Sequence, residues 1–194
     1  ALIFMLIPFI VGLATFVLLV KPLNYKTIMT VVNGNMPFRW NRFFISAGVW
    51  IVVSAIYLFV NMKLDPENFS LNNTSTTLIP LIFISLLLIP FQTAFEEVLF
   101  RGYLMQGFVV IFRNRLFPLI MTSVLFGLMH ALNPEIKEFG FLTMMPQYIL
   151  FGLIFGIVTI LDDGIESALG LHAANNAFLC IMLTNESSAL QTSA

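Results

Sequence analysis

The chain has 194 residues, of which 59% are hydrophobic and 10% charged, and its mean hydropathy of +0.95 is far above that of a soluble domain. The net charge of −1 argues against electrostatic binding of nucleic acid or of an acidic partner. The single cysteine, Cys180, excludes an internal disulfide and a cysteine-based metal cluster. We therefore expect most of this chain to lie within a lipid bilayer.

Two long charge-free segments lie near the start of the chain. Residues 1–20 and 43–62 each run for 20 residues without a charged side chain, the length that crosses a bilayer core of roughly 30 Å as a helix. The first segment has no basic n-region and no small-residue cleavage pattern, so we expect a membrane span in the mature chain. The connection at 21–42 carries four basic and no acidic residues, which predicts a cytoplasmic loop. The polar loop at 63–77 should then lie outside.

The rest of the chain alternates apolar segments with short polar turns. One apolar run covers 78–112, and a helix of that length would be about 52 Å long, too long for one perpendicular span. It either crosses once as a tilted helix or breaks into two at Pro90, and both alternatives stay open. We predict an all-α polytopic membrane helix bundle of six to seven helices around a polar cavity, with 1–194 as one integral membrane domain. The remaining apolar segments are 116–132, 139–161 and 167–184, followed by a polar tail at 185–194.

Three charged side chains interrupt the run in the sequence FEEVLFR. An ionised group at bilayer depth costs at least about 2.5–3.5 kcal/mol, so such residues usually serve a function. Glu97 and Arg101 are four residues apart with the acid first, the order that favours an ion pair on a helix. Glu96 points about 100° away from Glu97 around the helix. The spacing predicts that Glu97 pairs with Arg101 and that Glu96 is the spare carboxylate, although a charge cluster that only anchors a helix end has the same pattern.

The two histidines of the chain lie in two further apolar segments. FGLMH places Phe126 four residues before His130, and HAANN places His172 four residues before Asn176, so each pair shares a helix face. Each histidine taken alone also fits a hydrogen-bonded core residue. Together with Glu96 they supply a base, a proton carrier and hydrogen-bond donors, which are the parts needed for hydrolysis.

The three motifs E-E-x-x-x-R, F-x-x-x-H and H-x-x-x-N, in this order, resemble the CPBP family of intramembrane proteases. That family contains the CAAX prenyl endopeptidases and the bacteriocin-processing or immunity proteins called Abi. The resemblance covers about residues 78–184. The catalytic residues that it implies are Glu96, His130, His172 and Asn176, and the site-shaping residues are Glu97, Arg101 and Phe126.

The resemblance implies that Glu96 activates water with the help of His130, while His172 and Asn176 bind the scissile carbonyl oxygen. A zinc site is the chemical alternative, with Glu96, His130 and His172 as ligands. No H-E-x-x-H motif is present, and Asn176 suits an oxyanion donor better than a zinc shell. We therefore favour glutamate catalysis without a cofactor.

Two other classes of function remain open at this point. Intramembrane Glu and His residues also form the proton relays of transporters, but the chain shows no internal repeat. A catalytically silent immunity or scaffold protein would carry the same motifs. For the enzyme, the resemblance implies a peptide or protein substrate at a prokaryotic cell membrane, in peptide maturation, bacteriocin processing or immunity.

One acidic stretch lies outside the motifs. LDDGIES contains Asp162, Asp163 and Glu166, which could attract a cation. Because Gly164 lies among them, we expect a solvated turn.

Overall fold

The structure is a computed structural model that describes the backbone of residues 2–70 and 75–183, and their side chains except those of 75–77. Every α-helix and shorter helical turn in these ranges belongs to one all-helical bundle, which confirms the predicted fold class. The predicted polar tail at 185–194 lies outside the described residues. The α-helices are α1 (Leu2–Asn24), α2 (Ile28–Asn33), α3 (Trp40–Leu64), α4 (Ser75–Glu97), α5 (Gln106–Phe112), α6 (Leu116–Met129), α7 (Pro134–Phe139), α8 (Phe141–Asp162) and α9 (Glu166–Met182).

The long apolar run forms one continuous helical rod. α4 passes through Pro90 without a break, continues as a π-helical segment at Val98–Met105, and ends as α5. Leu78–Phe112 is thus a single candidate span of 35 residues, and a break at Pro90 is not realised. π-Helical turns are rare and are frequently found at functional sites. Here the segment follows Glu97 directly and contains Arg101.

Four helices of the described chain are long and apolar enough to cross a membrane: α1, α3, the rod at Leu78–Phe112, and α8. α6 is apolar but has only 14 residues, and α9 has 17. The predicted six to seven helices correspond in the described chain to these four candidate spans together with the shorter helices α6 and α9. α3 has no buried residue, as expected for a helix whose side chains face lipid.

Glycines allow close contacts that make α9 a central helix. A Cβ atom on Gly170 of α9 would collide with the backbone of Phe43 in α3, and one on Gly152 of α8 would lie 2.7 Å from the Cα atom of Ser123 in α6. Small residues at such contacts are typical of membrane bundles, where packing rather than the hydrophobic effect holds helices together. α9 contacts α3, α4 and α8, so its side chains reach the middle of the bundle.

A cluster of charges joins the start of α3 to the turn before α9. Arg39 donates from Nη2 to Oε2 of Glu166 at 2.6 Å and from Nε to Oε1 at 3.1 Å, and Asn33 donates to Oε1 at 2.5 Å. Arg42 pairs with Asp162, the last residue of α8. The expected solvated turn is therefore wrong for Asp162 and Glu166. Their partners lie more than a hundred residues earlier, which local sequence reasoning could not detect.

Arg39→Met should destabilise the fold, because Glu166 would keep a buried carboxylate without its guanidinium partner. The Arg39 side chain is 27% exposed, so we take the low end of the cost of breaking a buried pair, about 3 kcal/mol. This corresponds to a fall in melting temperature of about 6–12 °C in detergent. Lys26→Met, at an exposed position, is the matched control and should change little. Equal melting temperatures for the two variants would contradict the structural role of the pair.

The same cluster predicts that the free energy of unfolding decreases at acidic pH. Burial alone would raise the pKa of Glu166, but hydrogen bonds from Arg39 and Asn33 outweigh it and hold this pKa below its ordinary value. The stabilisation by ionised Glu166 is complete at pH values above the pKa of Glu166 in the unfolded chain, about 4.3. It is lost as the pH falls through the lower pKa of Glu166 in the folded protein. Melting curves between about pH 3 and 7 should show this loss in the wild type and less of it in Glu166→Gln. A Glu166→Gln profile parallel to that of the wild type would contradict this assignment.

Candidate active site

Three buried ionisable side chains form the centre of the site. Arg101 donates from Nη1 to Oε1 of Glu97 at 2.9 Å, and from Nη2 to the backbone oxygen of Gly152 at 3.2 Å. The Nδ1 atom of His172 lies 2.7 Å from the same Oε1 atom. Glu97 is fully buried and Arg101 is 1% exposed. The ion pair predicted from the spacing is present, and Glu97 also orients His172.

Aromatic rings surround this charged centre. The guanidinium of Arg101 lies 4.4 Å from the ring centre of Phe126 and 5.5 Å from that of Phe155. Phe155 also stacks on the ring of His172, with the centres 4.8 Å apart and the planes at 24°. Phe126 contacts the rings of both His130 and His172. The rings offset part of the cost of burying the cation and leave the side chains little freedom to move.

Glu96 faces away from this ion pair. Its Oε1 atom accepts a hydrogen bond from Nε2 of Gln92 at 2.8 Å. Its Oε2 atom is buried without a hydrogen-bond partner among the described residues. That atom lies 3.7 Å from Nε2 of His172, which is longer than a hydrogen bond. Oε2 is therefore the oxygen of Glu96 whose hydrogen-bonding capacity is unused in the described structure.

A line of hydrogen bonds runs from α3 through α9 to Glu96. Trp50 Nε1 donates to Asn175 Oδ1 at 3.1 Å, and Asn175 Nδ2 donates to Asn176 Oδ1 at 3.0 Å. Asn176 Nδ2 then donates to Oε1 of Gln92 at 3.2 Å. Because an indole N–H can only donate, it fixes the orientation of every amide that follows. Gln92 must therefore present its NH₂ group to Glu96, and one N–H of Asn176 stays available.

His130 is contributed by the end of α6. Its Nδ1 atom lies 2.8 Å from the backbone oxygen of Phe126, so Nδ1 carries the proton and Nε2 is free to accept one. Tyr148 of α8 stacks on the imidazole with the ring centres 4.4 Å apart and the planes at 20°. The Tyr148 hydroxyl accepts a hydrogen bond from Asn133 at 3.2 Å. Contacts from α6 and α8 thus fix the plane of the ring.

One cavity of about 530 Å³ connects these groups, within the size range of small-molecule sites. Its wall comes from α1, α4, α6, α7, α8, α9 and the segments that adjoin them, and it is mainly aromatic and aliphatic. Glu97 and Arg101 lie behind the wall. The four residues predicted to be catalytic all line it: Glu96, His130, His172 and Asn176.

Sequence reasoning missed several residues of this site, including Phe155. Gln92 lies four residues before Glu96, so the same helical spacing that paired Glu97 with Arg101 could have found it. Asn175 adjoins the motif residue Asn176. Trp50 and Tyr148 give no local signal, since their contacts with the site depend on how α3 and α8 pack.

The described residues include no group of three His, Cys, Asp or Glu side chains placed to hold a metal ion. The alternative zinc ligands Glu96, His130 and His172 do not form such a group there. His172 directs Nδ1 to Glu97, and His130 directs Nδ1 to a backbone oxygen. Catalysis without metal stays a prediction that chelation can test.

The fold and the site define a polytopic membrane protein with a buried centre of paired glutamates, arginine, histidines and amides. A family model described as "Type II CAAX prenyl endopeptidase Rce1-like" matches residues 75–178. The chain belongs to this family, which confirms the resemblance drawn from the three motifs.

Comparison with known proteins also identifies YyaK, an uncharacterized protein of Bacillus subtilis (strain 168). The two sequences are 32% identical over 164 residues, which cover 84% of this chain and 54% of YyaK. The chain thus matches about half the length of that relative. No solved structure matches it.

Proposed function

We propose that this protein is an intramembrane endopeptidase in which a glutamate activates the attacking water without a metal cofactor. The observation that carries the proposal is the position of Glu96. Its Oε2 atom, buried without a hydrogen-bond partner in the described structure, lies 3.7 Å from Nε2 of His172 in a cavity wall. A base and a potential donor thus face the same space, as hydrolysis of a carbonyl compound requires.

The reaction begins when Oε2 of Glu96 takes a proton from water. The water oxygen bonds to the carbonyl carbon of the scissile peptide, and the carbonyl π electrons move to its oxygen. When this intermediate collapses, the carbon–nitrogen bond breaks and Glu96 returns the proton to the leaving nitrogen. His130, whose Nε2 atom is its free nitrogen, orients the water. The products are a new carboxyl group and a new amine.

The position of His172 supports it as an oxyanion donor. Its Nδ1 atom lies 2.7 Å from Oε1 of Glu97, and its Nε2 atom lies 3.7 Å from Oε2 of Glu96. Nε2 is therefore the nitrogen that would donate to the carbonyl oxygen. The available N–H of Asn176 is the second donor.

The proposed biological role is maturation of a membrane-associated peptide, or bacteriocin processing or immunity, in a prokaryotic cell membrane. Family membership supports the protease activity, and the Bacillus relative supports the prokaryotic setting. The substrate is a peptide or protein that reaches the cavity within the bilayer.

The test is direct cleavage by the purified protein in lipid nanodiscs. A library of quenched fluorescent peptides with apolar segments is incubated with the protein, and mass spectrometry locates the cleaved bonds. We expect cleavage of a subset of the peptides at defined positions. Absence of cleavage by well-folded protein across the library would contradict the peptidase function and favour an immunity or scaffold role.

Trp50→Phe tests the line of hydrogen bonds that ends at Glu96. Phenylalanine keeps an apolar ring but removes the N–H that fixes the amide orientations. Loss of one such bond, about 0.5–1.5 kcal/mol, should lower kcat about twofold to tenfold with little change in KM. Trp40→Phe, at an exposed position of the same helix, is the matched control. Equal kcat values for both variants would contradict a role of Trp50 in positioning.

A further inference from the structure

The two ends of the bundle differ in charge. Gln106 of α5 donates to the backbone oxygen of Val31 in α2 at 3.0 Å. Arg39 donates to the backbone oxygen of Asp162 in α8 at 2.8 Å. The connections before α3, after α5 and after α8 therefore lie at one end, which we call the basic end. Six of the nine cations of the chain are there: Lys21, Lys26, Arg39, Arg42, Arg113 and Arg115.

The opposite end carries Lys63 and Lys137, and the ninth cation, Arg101, is buried in the centre. Cytoplasmic loops of membrane proteins are enriched in Lys and Arg. Because the basic end has six cations and the opposite end has two, we assign the basic end to the cytoplasm. The structure thus extends the orientation predicted from the first two spans to the whole bundle.

The catalytic cavity reaches the end away from the cytoplasm. Its wall includes Met5 near the start of α1 and Asn133 and Phe139 in the connection between α6 and α8. Phe139 is half-exposed at that end. Glu96, which also lines this cavity, lies near the middle of the span Leu78–Phe112.

A second, smaller cavity lies at the basic end. It has a volume of about 400 Å³, and its wall includes Asn33 and Arg115 but neither Glu96 nor His172. Arg101 contributes to this wall from the far side of the ion pair. Of these two cavities, the one that includes Glu96 thus extends to the extracytoplasmic end.

The wall of the catalytic cavity contains carboxylates but no cation. Glu96 and Glu135 line it, and none of its described residues is Lys or Arg. The parts of the chain outside the described ranges contain no Lys or Arg either. A substrate carboxylate would be buried beside Glu96 without a Lys or Arg in the described wall, which is unfavourable. Most of the remaining wall is aromatic and aliphatic, which favours apolar side chains.

We propose that the substrate is an apolar segment that enters from the extracytoplasmic side and carries no carboxylate within reach of the cavity. The chemistry rests on the proposed peptidase function, whereas the side of entry does not. The cleaved bond is then an internal one of an exported or membrane-anchored chain, away from a free C-terminus.

Cysteine labelling in intact cells tests the side of entry without requiring activity. In a Cys180→Ala background, Leu132→Cys marks the cavity end and Met36→Cys the basic end; both positions are exposed, and neither change alters charge. A membrane-impermeant maleimide should label Leu132→Cys in intact cells and Met36→Cys only after lysis. Labelling of Met36→Cys in intact cells, or of Leu132→Cys only after lysis, would overturn the side of entry even if the protein cleaves peptides.

A matched peptide pair tests the charge preference. In any peptide that the protein cleaves, Asn or Asp is placed next to the scissile bond. We expect kcat/KM to be at least tenfold lower for Asp. Equal rates for Asn and Asp would overturn the charge preference. If no peptide is cleaved at all, the proposed function fails, while the labelling result still decides the side of entry.

Discussion

Glu96→Gln should reduce peptide cleavage by about 10²–10⁴-fold, the contribution of a positioned general base. Glutamine has the same size and can keep a hydrogen bond with Gln92, but it cannot take a proton from water. Because Glu96 does not pair with Arg101, the variant should keep the melting temperature of the wild type within a few degrees. The measurement is kcat on a cleaved peptide together with thermal unfolding in the same lipid or detergent.

Glu67→Gln is the control for Glu96→Gln. It makes the same chemical change at an exposed position outside the cavity, and it should leave kcat unchanged. Cleavage by Glu96→Gln within tenfold of the wild type would show that another group activates the water. A large fall in melting temperature would instead show that the carboxylate is structural.

Arg101→Met should have the largest effect on stability. The carboxylate of Glu97 would stay buried without its guanidinium partner, at a cost of about 3–5 kcal/mol. The corresponding fall in melting temperature is about 6–20 °C. Cleavage should also fall, because Glu97 would no longer be fixed where it orients His172. Arg115→Met, at an exposed position, is the control and should behave like the wild type.

A double variant separates the two consequences of losing Arg101. Glu97→Gln removes the charge that Arg101→Met leaves uncompensated. The double variant Glu97→Gln/Arg101→Met should therefore be more stable than Arg101→Met alone, which is the non-additivity expected of a direct pair. It should remain poorly active, since a neutral amide holds His172 less firmly than a carboxylate does. If the loss of stability in the double variant equals the sum of the losses in the two single variants, the result would contradict a direct ion pair.

The parts of this site that could be predicted are those with a local signal. Glu97 and Arg101 are four residues apart, and helical geometry alone predicts both their ion pair and the different direction of Glu96. Charge-free runs likewise predict the long helices, because the bilayer sets their minimum length. The positions of His130 and His172 in one cavity were expected only from the order of the motifs.

The remaining features depend on packing between distant segments. Trp50 reaches the site because α3 packs on α9, and Arg39 neutralises Glu166 across more than a hundred residues. Neither contact leaves a pattern in its own segment. The sequence also left open whether the helix breaks at Pro90, and the structure shows that the rod continues through it.

The most direct measurement is the rate of peptide cleavage by wild-type protein after exhaustive chelation, with the residual metal content determined on the same sample. Glutamate catalysis predicts an unchanged rate in metal-free protein and loss of cleavage in Glu96→Gln. A rate that disappears on chelation and returns with zinc would contradict it, and would assign Glu96, His130 and His172 to a metal site.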